Sequence, residues 1–316
     1  KNLKVLIIGD AIIDEYCYCT AVGKVEKAPI IATKFDYTLQ FAGGSPAIAN
    51  HIAGFCENLE LVSLLGKENT MLDFINRNLN KKIKRRFFFR PSAQTTSVKR
   101  FIERFQNRKM FEIAFFDDSL IDNSLENEIM KYLKENIKNY DLVLIADFGH
   151  GFITKNIVKC ITNNAKFVAV NTQTNSRNYG FNYITKYKNV DYISIDENEL
   201  RLPLSDKYSK IEDLIAKIRE KVRCPKINIT LGDKGCIFYQ DGKFYFAPVF
   251  STNVLDTVGA GDAVLSITAM CVYANFPPEI IPFVGNCVGA LAVQILGNKE
   301  PIKSTHLYKF MTGILK

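Results

Sequence analysis

The sequence has few residues of the kinds that build metal sites and disulfide frameworks. Only three histidines occur among its 316 residues, and none of the eight cysteines forms a Cys-x-x-Cys pair. A zinc site is therefore not expected, because such sites combine closely spaced cysteines with histidine. Several cysteines stand among apolar residues, for example Cys236 and Cys287. We interpret them as small buried hydrophobic residues of a protein in a reducing compartment.

Long apolar runs and segments of biased composition are also missing. No apolar run approaches the length of a membrane span, and no signal peptide precedes the first predicted strand. There is no internal repeat and no linker rich in Ser, Gly or Pro. We therefore predict a single domain over residues 1–316, without a membrane partner and located in the cytoplasm.

The charge of the chain is moderately positive and spread along the sequence. There are 41 Lys+Arg against 33 Asp+Glu, a formal net charge of +8, and one short basic run at residues 81–86. Nucleic-acid binding requires a basic face with groove-reading or aromatic elements, whereas one short run is more often a solvated loop. We expect no nucleic-acid partner. The positive surplus is weakly in favour of an anionic small substrate.

Strand-like and helix-like segments alternate through most of the chain. Residues 3–10 form an apolar run that ends in Gly-Asp, which is typical of a buried parallel strand opening a doubly wound fold. Further predicted strands cover residues 59–66, 142–146, 167–170, 192–195 and 227–230, and predicted helices cover 47–55, 124–138, 154–164 and 211–223. The fold class is therefore α/β, a doubly wound and mostly parallel sheet with helices on both faces.

Two segments break this alternation, at about residues 15–41 and 93–117. Both contain β-forming residues, and no predicted helix stands beside either of them. We predict that they pair as a small separate sheet.

The most informative motif is Asp256-Thr257-Val258-Gly259-Ala260-Gly261-Asp262, which precedes an apolar stretch at residues 263–270. A turn of small residues that opens a helix directs free backbone N–H groups at the positive end of the helix dipole. Such a turn binds anions, most often phosphate. We expect Thr257 to cap the helix and Asp256 to fix the turn.

A carboxylate beside a phosphate site requires an explanation, because the two charges repel each other. The arrangement makes sense if Asp262 accepts the proton of a hydroxyl while Gly259, Ala260 and Gly261 hold the phosphoryl group that this hydroxyl attacks. The motif therefore predicts a kinase that acts on an alcohol, with these residues as its catalytic set.

Together with the pair Gly43-Gly44 before the first helix, the 256–262 motif resembles the ribokinase-like carbohydrate kinases, the PfkB family. The resemblance extends over essentially the whole chain. It implies a ribokinase-like sheet with a small β-sheet lid over the sugar, ATP and Mg²⁺ as cofactors, and a homodimer formed through the lid. The two segments that break the alternation match the lid.

A closer similarity is to the kinase half of the bifunctional heptose 7-phosphate kinase/heptose 1-phosphate adenylyltransferases. It rests on residues 5–16, on Ala28-Pro29 and on Asp147-Phe148-Gly149-His150-Gly151. Three sugar-side positions depart from that pattern: Glu15 stands in place of Arg, residues 23–27 differ, and Ala47 stands in place of Asn. The chemistry is retained, but these changes leave the sugar open.

The resemblance also implies a substrate site. Asp14 is the leading sugar ligand, although it could instead be a cap or an ion-pair partner. Asp10 could bind sugar or orient its loop, and Asn50 lies one turn after Ala47 on roughly the same helix face. Gly43 and Gly44 would let a ligand approach the backbone closely, or would form a simple tight turn.

Basic residues on the second irregular segment are further candidates. Lys99, Arg100 and Arg104 could bind a substrate phosphate, since strand alternation places two of them on one face. A solvated, charge-protected lid edge is the alternative.

The remaining resemblances are on the nucleotide side. Thr230, Gly232 and Gly235 are similar to a turn beside the nucleotide phosphates, and Asn286 to the adenine-side wall. Two further groups complete the predicted set. The polar cluster that begins at Asn171 is assigned to the nucleotide site. The pair Asp196 and Glu199 would hold Mg²⁺ through water.

Three functions compete on this reading. The first is an ATP- and Mg²⁺-dependent kinase of a sugar or sugar phosphate, with a heptose 7-phosphate for surface polysaccharide as one candidate. The second is a catalytically weakened paralogue that binds sugar phosphate as a regulatory or scaffold subunit. A dinucleotide-dependent oxidoreductase is the third, and it is disfavoured because Gly9-Asp10-Ala11 does not continue as Gly-x-Gly-x-x-Gly.

Overall fold

A computed structural model describes residues 2–175, 178–250 and 253–316 of the chain. The strands found in these residues are β1 (Lys4–Lys24), β2 (Ile31–Gly44), β3 (Asn58–Glu68), β4 (Lys84–Gln94), β5 (Ser97–Glu103), β6 (Arg108–Phe115), β7 (Leu142–Asp147), β8 (Val168–Thr172), β9 (Tyr192–Asp196), β10 (Lys226–Thr230), β11 (Cys236–Gln240) and β12 (Lys243–Ala247). The α-helices are α1 (Ser45–Ala53), α2 (Leu72–Asn78), α3 (Asn123–Asn136), α4 (Lys155–Asn164), α5 (Glu197–Arg201), α6 (Ile211–Val222), α7 (Ala260–Tyr273), α8 (Ile280–Ala292) and α9 (Ser304–Ile314).

The main sheet has the strand order β12-β11-β10-β9-β8-β7-β1-β3-β4. All neighbours from β4 to β10 are parallel, while β11 and β12 continue as antiparallel strands at one edge. Because parallel strands need crossover connections, helices cover the sheet. The prediction of a doubly wound, mostly parallel α/β fold is confirmed.

Alternating side chains of β1 divide the core between the two faces of the sheet. Leu6 and Ile8 belong to the apolar cluster formed with α3, α4 and α6. Val5 and Ile7 belong to the opposite cluster, which contains apolar residues of α1 and α7. This two-residue period explains why the strand is apolar throughout, since both of its faces are buried.

A second sheet is formed by β2, the distal part of β1, β5 and β6, in that order. These strands lie within the two segments that interrupt the alternation in the sequence. The expected pairing of these segments as a small second sheet is confirmed, and it is joined to the main sheet because β1 runs without a break from one into the other. Its register with β2 extends from Ala11 opposite Gly44 to Lys24 opposite Ile31. The continuous strand fixes the second sheet at the carboxyl ends of the main strands.

Two helix starts differ from their predictions. Helix α1 begins at Ser45, two residues earlier than expected, because proline fits the first turn of a helix and occurs there as Pro46. Helix α7 has Gly259 as its N-cap and no side-chain cap, so the expected capping by Thr257 was wrong. Instead, the carbonyl of Thr257 accepts a hydrogen bond from the N–H of Ala260.

The cysteines and the helices agree with the composition. All eight cysteines are free, and seven of them are buried, as expected for small hydrophobic side chains. In the part of the chain that the structure describes, no helix is both long enough and apolar enough to cross a membrane.

Candidate active site

Two cavities meet at the N-terminus of α7. The first cavity has a volume of about 420 Å³ and lies between the second sheet and the carboxyl ends of the main strands. The second cavity, of about 740 Å³, extends from the same point toward α8. The residues that line both are Asp196, Thr230, Thr257 and Gly261. Ligands in open α/β sheets bind at this edge, and both cavities lie there and share the glycine turn as part of their walls.

The turn that precedes α7 depends on its two glycines for different reasons. Gly259 has φ 81°, and a Cβ at this position would lie 2.2 Å from Oδ1 of Asn298. Gly261 has ordinary helical geometry, and a Cβ there would meet no atom within 4 Å. The first N–H groups of a helix have no partner within it. The N–H of Ala260 donates to the carbonyl of Thr257 at 3.3 Å, so the donors expected for an anion are the next N–H groups, those of Gly261 and Asp262.

Asp262 lies in the first turn of α7 and lines the first cavity. Its side chain is buried, with 7% of the residue exposed. Burial, and to a smaller extent the nearby charge of Asp14, raises the pKa of Asp262 to about 7. A carboxyl group with this pKa is basic enough to accept a proton near neutral pH.

Asp14 faces the first cavity from β1 and is buried. It forms an ion pair with Arg100 of β5, which also lines the cavity. The Nε atom of Arg100 lies 3.3 Å from Oε2 of Glu112 on β6. The second sheet therefore contributes one guanidinium held between two carboxylates, so the guanidinium can donate hydrogen bonds to hydroxyls and the carboxylates can accept them.

Gly43 and Gly44 lie beside Asp14, at the end of β2. A Cβ at Gly43 would stand 2.2 Å from Oδ2 of Asp14, so a larger residue would displace this carboxylate. Gly44 lines the cavity, has φ 63° and is the N-cap of α1. Both glycines are thus required by close approach and by backbone geometry.

The structure does not bring Asn50 to the first cavity, which corrects its expected role as a sugar ligand. The amide of Asn50 donates to the carbonyl of Asn78 at 2.8 Å and accepts from the N–H of Asn80 at 2.9 Å. It lines a third cavity, together with Ala47 and His51 of α1. The reason is that this face of α1 packs near the end of α2 instead of the sheet edge.

Asp10 and Lys99 also lie outside the first cavity. Oδ2 of Asp10 accepts a hydrogen bond of 3.0 Å from the N–H of Phe148, which itself lines the cavity, so the loop-orienting alternative fits Asp10. Burial, followed by the charge of Asp147, raises the pKa of Asp10 to about 7. Lys99 points away from the cavity because its neighbour Arg100 points into it, and adjacent strand residues face opposite sides.

The exposed lysine and arginine of the second sheet have other partners. Nζ of Lys99 lies 3.9 Å from a carboxylate oxygen of Glu15 and 5.5 Å from the ring centre of Phe115. Arg104, beyond the end of β5, lies 4.0 Å from Asp36. These two cations fit the alternative of a charge-protected sheet edge.

The second cavity contains the predicted nucleotide-side residues Thr230, Gly232, Gly235 and Asn286. A Cβ at Gly232, which has φ 61°, would meet nothing within 4 Å, whereas one at Gly235 would lie 2.1 Å from the carbonyl oxygen of Ala247. The amide of Asn286 donates to that same carbonyl at 2.6 Å and so fixes the end of β12. Apolar side chains form much of the remaining wall, namely Val249, Val254, Val264, Ala290 and Val293.

Asn171 stands apart from this group. It lines the first cavity and not the second, and its amide donates to the carbonyl of Ser194 at 2.8 Å. The structure therefore places Asn171 in the first cavity, together with Asp14 and Asp262, and its assignment to the nucleotide side stays a prediction.

Asp196 and Glu199 form a capping box at the start of α5. Oδ1 of Asp196 accepts from the N–H of Glu199 at 2.8 Å, and Oε2 of Glu199 accepts from the N–H of Asp196 at 2.9 Å. Burial and the neighbouring charge of Asp196 raise the pKa of Glu199 to about 8. Within residues 2–175, 178–250 and 253–316, no group of three His, Cys, Asp or Glu residues could hold a metal directly. Because the carboxylates of Asp196 and Glu199 already accept backbone hydrogen bonds, they are better suited to contact a divalent cation through its water molecules than to bind it directly.

Asp256 has a larger role than its sequence position indicated. Its buried carboxylate accepts hydrogen bonds from Tyr16, from Lys109 and from the N–H groups of Val258 and Gly297. Tyr16 and Lys109 are 240 and 147 residues away in sequence, so no local pattern could have identified them.

Comparison with known proteins agrees with this architecture. The profile of the pfkB family carbohydrate kinases matches residues 2–305. Two similar curated proteins are the bifunctional protein HldE of Campylobacter jejuni, 23% identical over 85% of this chain and 56% of the relative, and that of Aliarcobacter butzleri, 24% identical over 85% and 56%. The chain spans little more than half the length of these relatives.

Solved structures share the fold at low identity. Escherichia coli phosphofructokinase-2 in complex with fructose-6-phosphate has a TM-score of 0.76 at 10% identity and covers 99% of both chains. Ribokinase from Thermotoga maritima has a TM-score of 0.70 at 17% identity and covers 98% of this chain and 99% of its own. The match of the family profile over nearly the whole length, together with the ribokinase-like fold, shows that this chain belongs to the pfkB family of carbohydrate kinases and is a phosphotransferase.

Proposed function

We propose that the protein transfers the γ-phosphoryl group of ATP to a hydroxyl of a sugar or sugar phosphate, with Asp262 as the base. The observation that carries this proposal is the meeting of the two cavities at the Gly259–Gly261 turn. A phosphoryl donor in the second cavity and an alcohol in the first would have their reacting atoms at the N-terminus of α7. Asp262 is buried on the alcohol side of this point.

Asp262 would orient the attacking hydroxyl and accept its proton. The phosphoryl-transfer transition state is loose, so positioning of the oxygen contributes more than early proton removal. The N–H groups of the turn would stabilise the charge on the phosphoryl oxygens as it is transferred. Since Gly261 leaves the space before these groups open, a phosphoryl oxygen can approach them.

The second cavity is the proposed ATP site. Its apolar wall suits a planar base, and the open space at Gly232 allows phosphates to approach the backbone. Asp196 and Glu199 would hold a hydrated Mg²⁺ at the junction of the two cavities. When bound, this ion neutralises charge on the phosphates.

For the acceptor, we propose a sugar or sugar phosphate held by Asp14, Arg100 and the backbone at Gly44. A heptose 7-phosphate used for surface polysaccharide precursors is the first candidate, because the sequence is similar to the kinase half of the heptose enzymes. Glu15, residues 23–27 and Ala47 stand where that similarity fails, so other sugars belong in the same assay.

A homodimer formed through the second sheet is proposed as the assembly. Large apolar side chains on β2 and β6 are exposed, including Ile31, Phe35 and Phe111 at 66%, 58% and 54%. An exposed apolar surface of this kind on a sheet favours contact with another protein surface. A sheet from a second copy is the simplest partner that matches it.

The test is release of ADP by the purified protein with Mg²⁺-ATP and a panel of free sugars and sugar phosphates that includes heptose 7-phosphate. Sugar-dependent ADP release supports the proposal and identifies the acceptor. Tight binding of a sugar phosphate without turnover of any panel member would instead favour the regulatory or scaffold role. The intact Gly259–Asp262 turn favours the enzyme.

A further inference from the structure

A buried carboxylate links the second sheet to the loops around the anion site. Asp256 is 4% exposed, and four donors converge on it. Oδ1 accepts from Nζ of Lys109 at 2.7 Å and from the N–H of Val258 at 3.2 Å. Oδ2 accepts from the hydroxyl of Tyr16 and, at 2.9 Å, from the N–H of Gly297. All acceptor positions of the carboxylate are thus engaged.

These donors come from separate parts of the fold. Tyr16 and Lys109 belong to β1 and β6 of the second sheet, whereas Val258 lies in the catalytic turn and Gly297 in the loop after α8. The main chain of Asp256 is also fixed, because its N–H donates to the carbonyl of Val293 at 3.1 Å. The side chain of Asp256 therefore links the second sheet to the turn directly.

The Val258 contact gives this link a consequence for the anion site. Val258 immediately precedes Gly259, so the position of its N–H determines how the following N–H groups are directed. The same carboxylate fixes the loop after α8 through the N–H of Gly297. This loop carries Asn298, whose Oδ1 lies 2.2 Å from the position of a Cβ at Gly259. A shift of Asp256 would therefore move both walls of the turn.

Of the groups that contact Asp256, Lys109 comes from the exposed surface of the second sheet. Its side chain is 42% exposed, while that of Asp256 is 1% exposed. An ion pair between two exposed groups contributes little, but removal of a cation from a buried carboxylate leaves an uncompensated charge. Tyr16 connects this pair to the substrate side, since its ring lies 5.5 Å from Nζ of Lys109 and 5.8 Å from the guanidinium of Arg100.

We propose that Lys109 is a positioning residue that makes the catalytic arrangement of the turn depend on the placement of the second sheet. Lys109 contacts Asp256 while Arg100 and Glu112 of the same β5–β6 hairpin line the first cavity, so displacement of the hairpin would separate Lys109 from Asp256. Phosphoryl transfer is thereby favoured when the sheet covers the acceptor, and transfer to water is disfavoured when the hairpin is displaced. The inference rests on the proposed function of the site.

A double-mutant cycle with Lys109→Met and Asp256→Asn tests the link. Methionine keeps the length of the lysine stem, and asparagine keeps a carbonyl oxygen for part of the hydrogen bonding without the charge. If Lys109 acts through Asp256, we expect Lys109→Met to lower kcat about tenfold in the wild-type background and less than about twofold in the Asp256→Asn background. The KM for the sugar should change less than kcat, and Lys109→Arg should recover most of the rate.

Arg108→Met is the matched control, because Arg108 is the exposed neighbour of Lys109 on β6. It removes one positive charge from the same strand without removing a partner of Asp256. We expect its kcat to remain within twofold of the wild type. An equal loss in the Arg108 and Lys109 variants would overturn the proposal, as would an equal effect of Lys109→Met in both Asp256 backgrounds.

Hydrogen–deuterium exchange separates this inference from the proposed function, because it requires no acceptor. In the full-length protein, Lys109→Met should increase exchange several-fold in peptides that cover residues 256–262, and leave β7 unchanged. Unchanged exchange at the turn would refute the link even if the wild type is an active kinase. Increased exchange in a protein that phosphorylates no sugar would support the link and reject the proposed function.

Discussion

At the residue scale, Asp262 is the side chain on which the proposed chemistry depends. Replacement by asparagine keeps the size and the polar contacts but removes the proton acceptor. General base catalysis contributes about 10²- to 10⁴-fold, so we expect kcat of Asp262→Asn to fall by this factor. Binding of ATP, measured by calorimetry, should change little. A variant with kcat near that of the wild type would remove Asp262 from the mechanism.

The raised pKa of Asp262 predicts a pH dependence with a definite sign. Only the deprotonated form accepts a proton, so activity should rise with pH until the group is ionised. With the pKa at about 7, log kcat/KM should have a slope of about one below that pH and level off above it. Because the charge of Asp14 contributes to the shift, Asp14→Asn should move this inflection to lower pH. An inflection that stays in place in this variant would contradict the assigned cause.

The same raised pKa has an opposite consequence for stability. As the pH rises from about 4 to about 7, an unfolded chain loses the proton of Asp262 while the folded protein retains it, which lowers the free energy of unfolding. Asp262→Asn does not titrate, so its stability relative to the wild type should increase over this pH range. Urea unfolding at pH 5 and pH 8 measures the difference. A difference that does not change with pH would show that the carboxyl is not destabilised by burial.

At the scale of elements, the turn before α7 predicts opposite outcomes for its two glycines. Gly261→Ala places a methyl group in open space at a helical position, so the fold should remain as stable as the wild type or become more stable. Gly261 lines both cavities, so the same methyl group would take up space where they meet, and we expect kcat to fall at least about tenfold. Thermal unfolding and kcat are the two measurements. Wild-type activity in a stable Gly261→Ala variant would place the anion elsewhere.

Gly259→Ala should instead destabilise the protein. Its left-handed backbone alone costs an L-residue about 1–2 kcal/mol, and the new Cβ would lie 2.2 Å from Oδ1 of Asn298. Gly313→Ala in α9 is a suitable control, because a Cβ there meets no atom within 4 Å. A Gly259→Ala variant as stable as this control would contradict the described turn.

The sequence was sufficient to predict the six central strands of the main sheet, but neither its edge strands nor the junctions between elements. Apolar runs predicted the central strands because parallel strands are buried on both faces, whereas β4, β11 and β12 at the two edges were not predicted. The 256–262 motif predicted a helix that starts at a glycine turn. The continuity of β1 through both sheets could not be inferred, because the residues from Ile12 to Tyr18 show no boundary and no break. The surroundings of each helix face could not be predicted either, because a helical period does not say which neighbour a face contacts. Asn50 is an example, since it was expected at the sugar site and contacts Asn78 and Asn80 instead.

The site was predicted unevenly for the same reason. Residues in local motifs, such as Asp14, Gly44 and Asp262, were brought together by the structure. Lys109 and Asn298 lacked any local signal, and Tyr16 stood in the 5–16 motif without an assigned role, because these roles depend on contacts with residues far away in sequence. The sequence could not tell whether Lys99 or Arg100 faces the first cavity. Strand alternation places neighbouring side chains on opposite faces but does not say which face lines the cavity.

At the scale of the whole molecule, the exposed apolar residues of the second sheet predict the assembly. Light scattering should give twice the chain mass of 35.8 kDa, and Phe35→Asp should shift the protein toward the monomer. Tyr208→Asp is the matched control, because Tyr208 is 90% exposed and lies outside the second sheet. A wild-type monomer at micromolar concentration would contradict the proposed dimer.

The central claim is that the two cavities hold a phosphoryl donor and a sugar hydroxyl on either side of the 256–262 turn. The most direct test measures ADP release by the wild-type protein and by Asp262→Asn, with Mg²⁺-ATP and the same panel of sugars and sugar phosphates. The account predicts that at least one acceptor stimulates ADP release by the wild type, and that Asp262→Asn loses this stimulation by about 10²-fold or more while it still binds ATP. Stimulation by an acceptor that is equal in both proteins would contradict the claim.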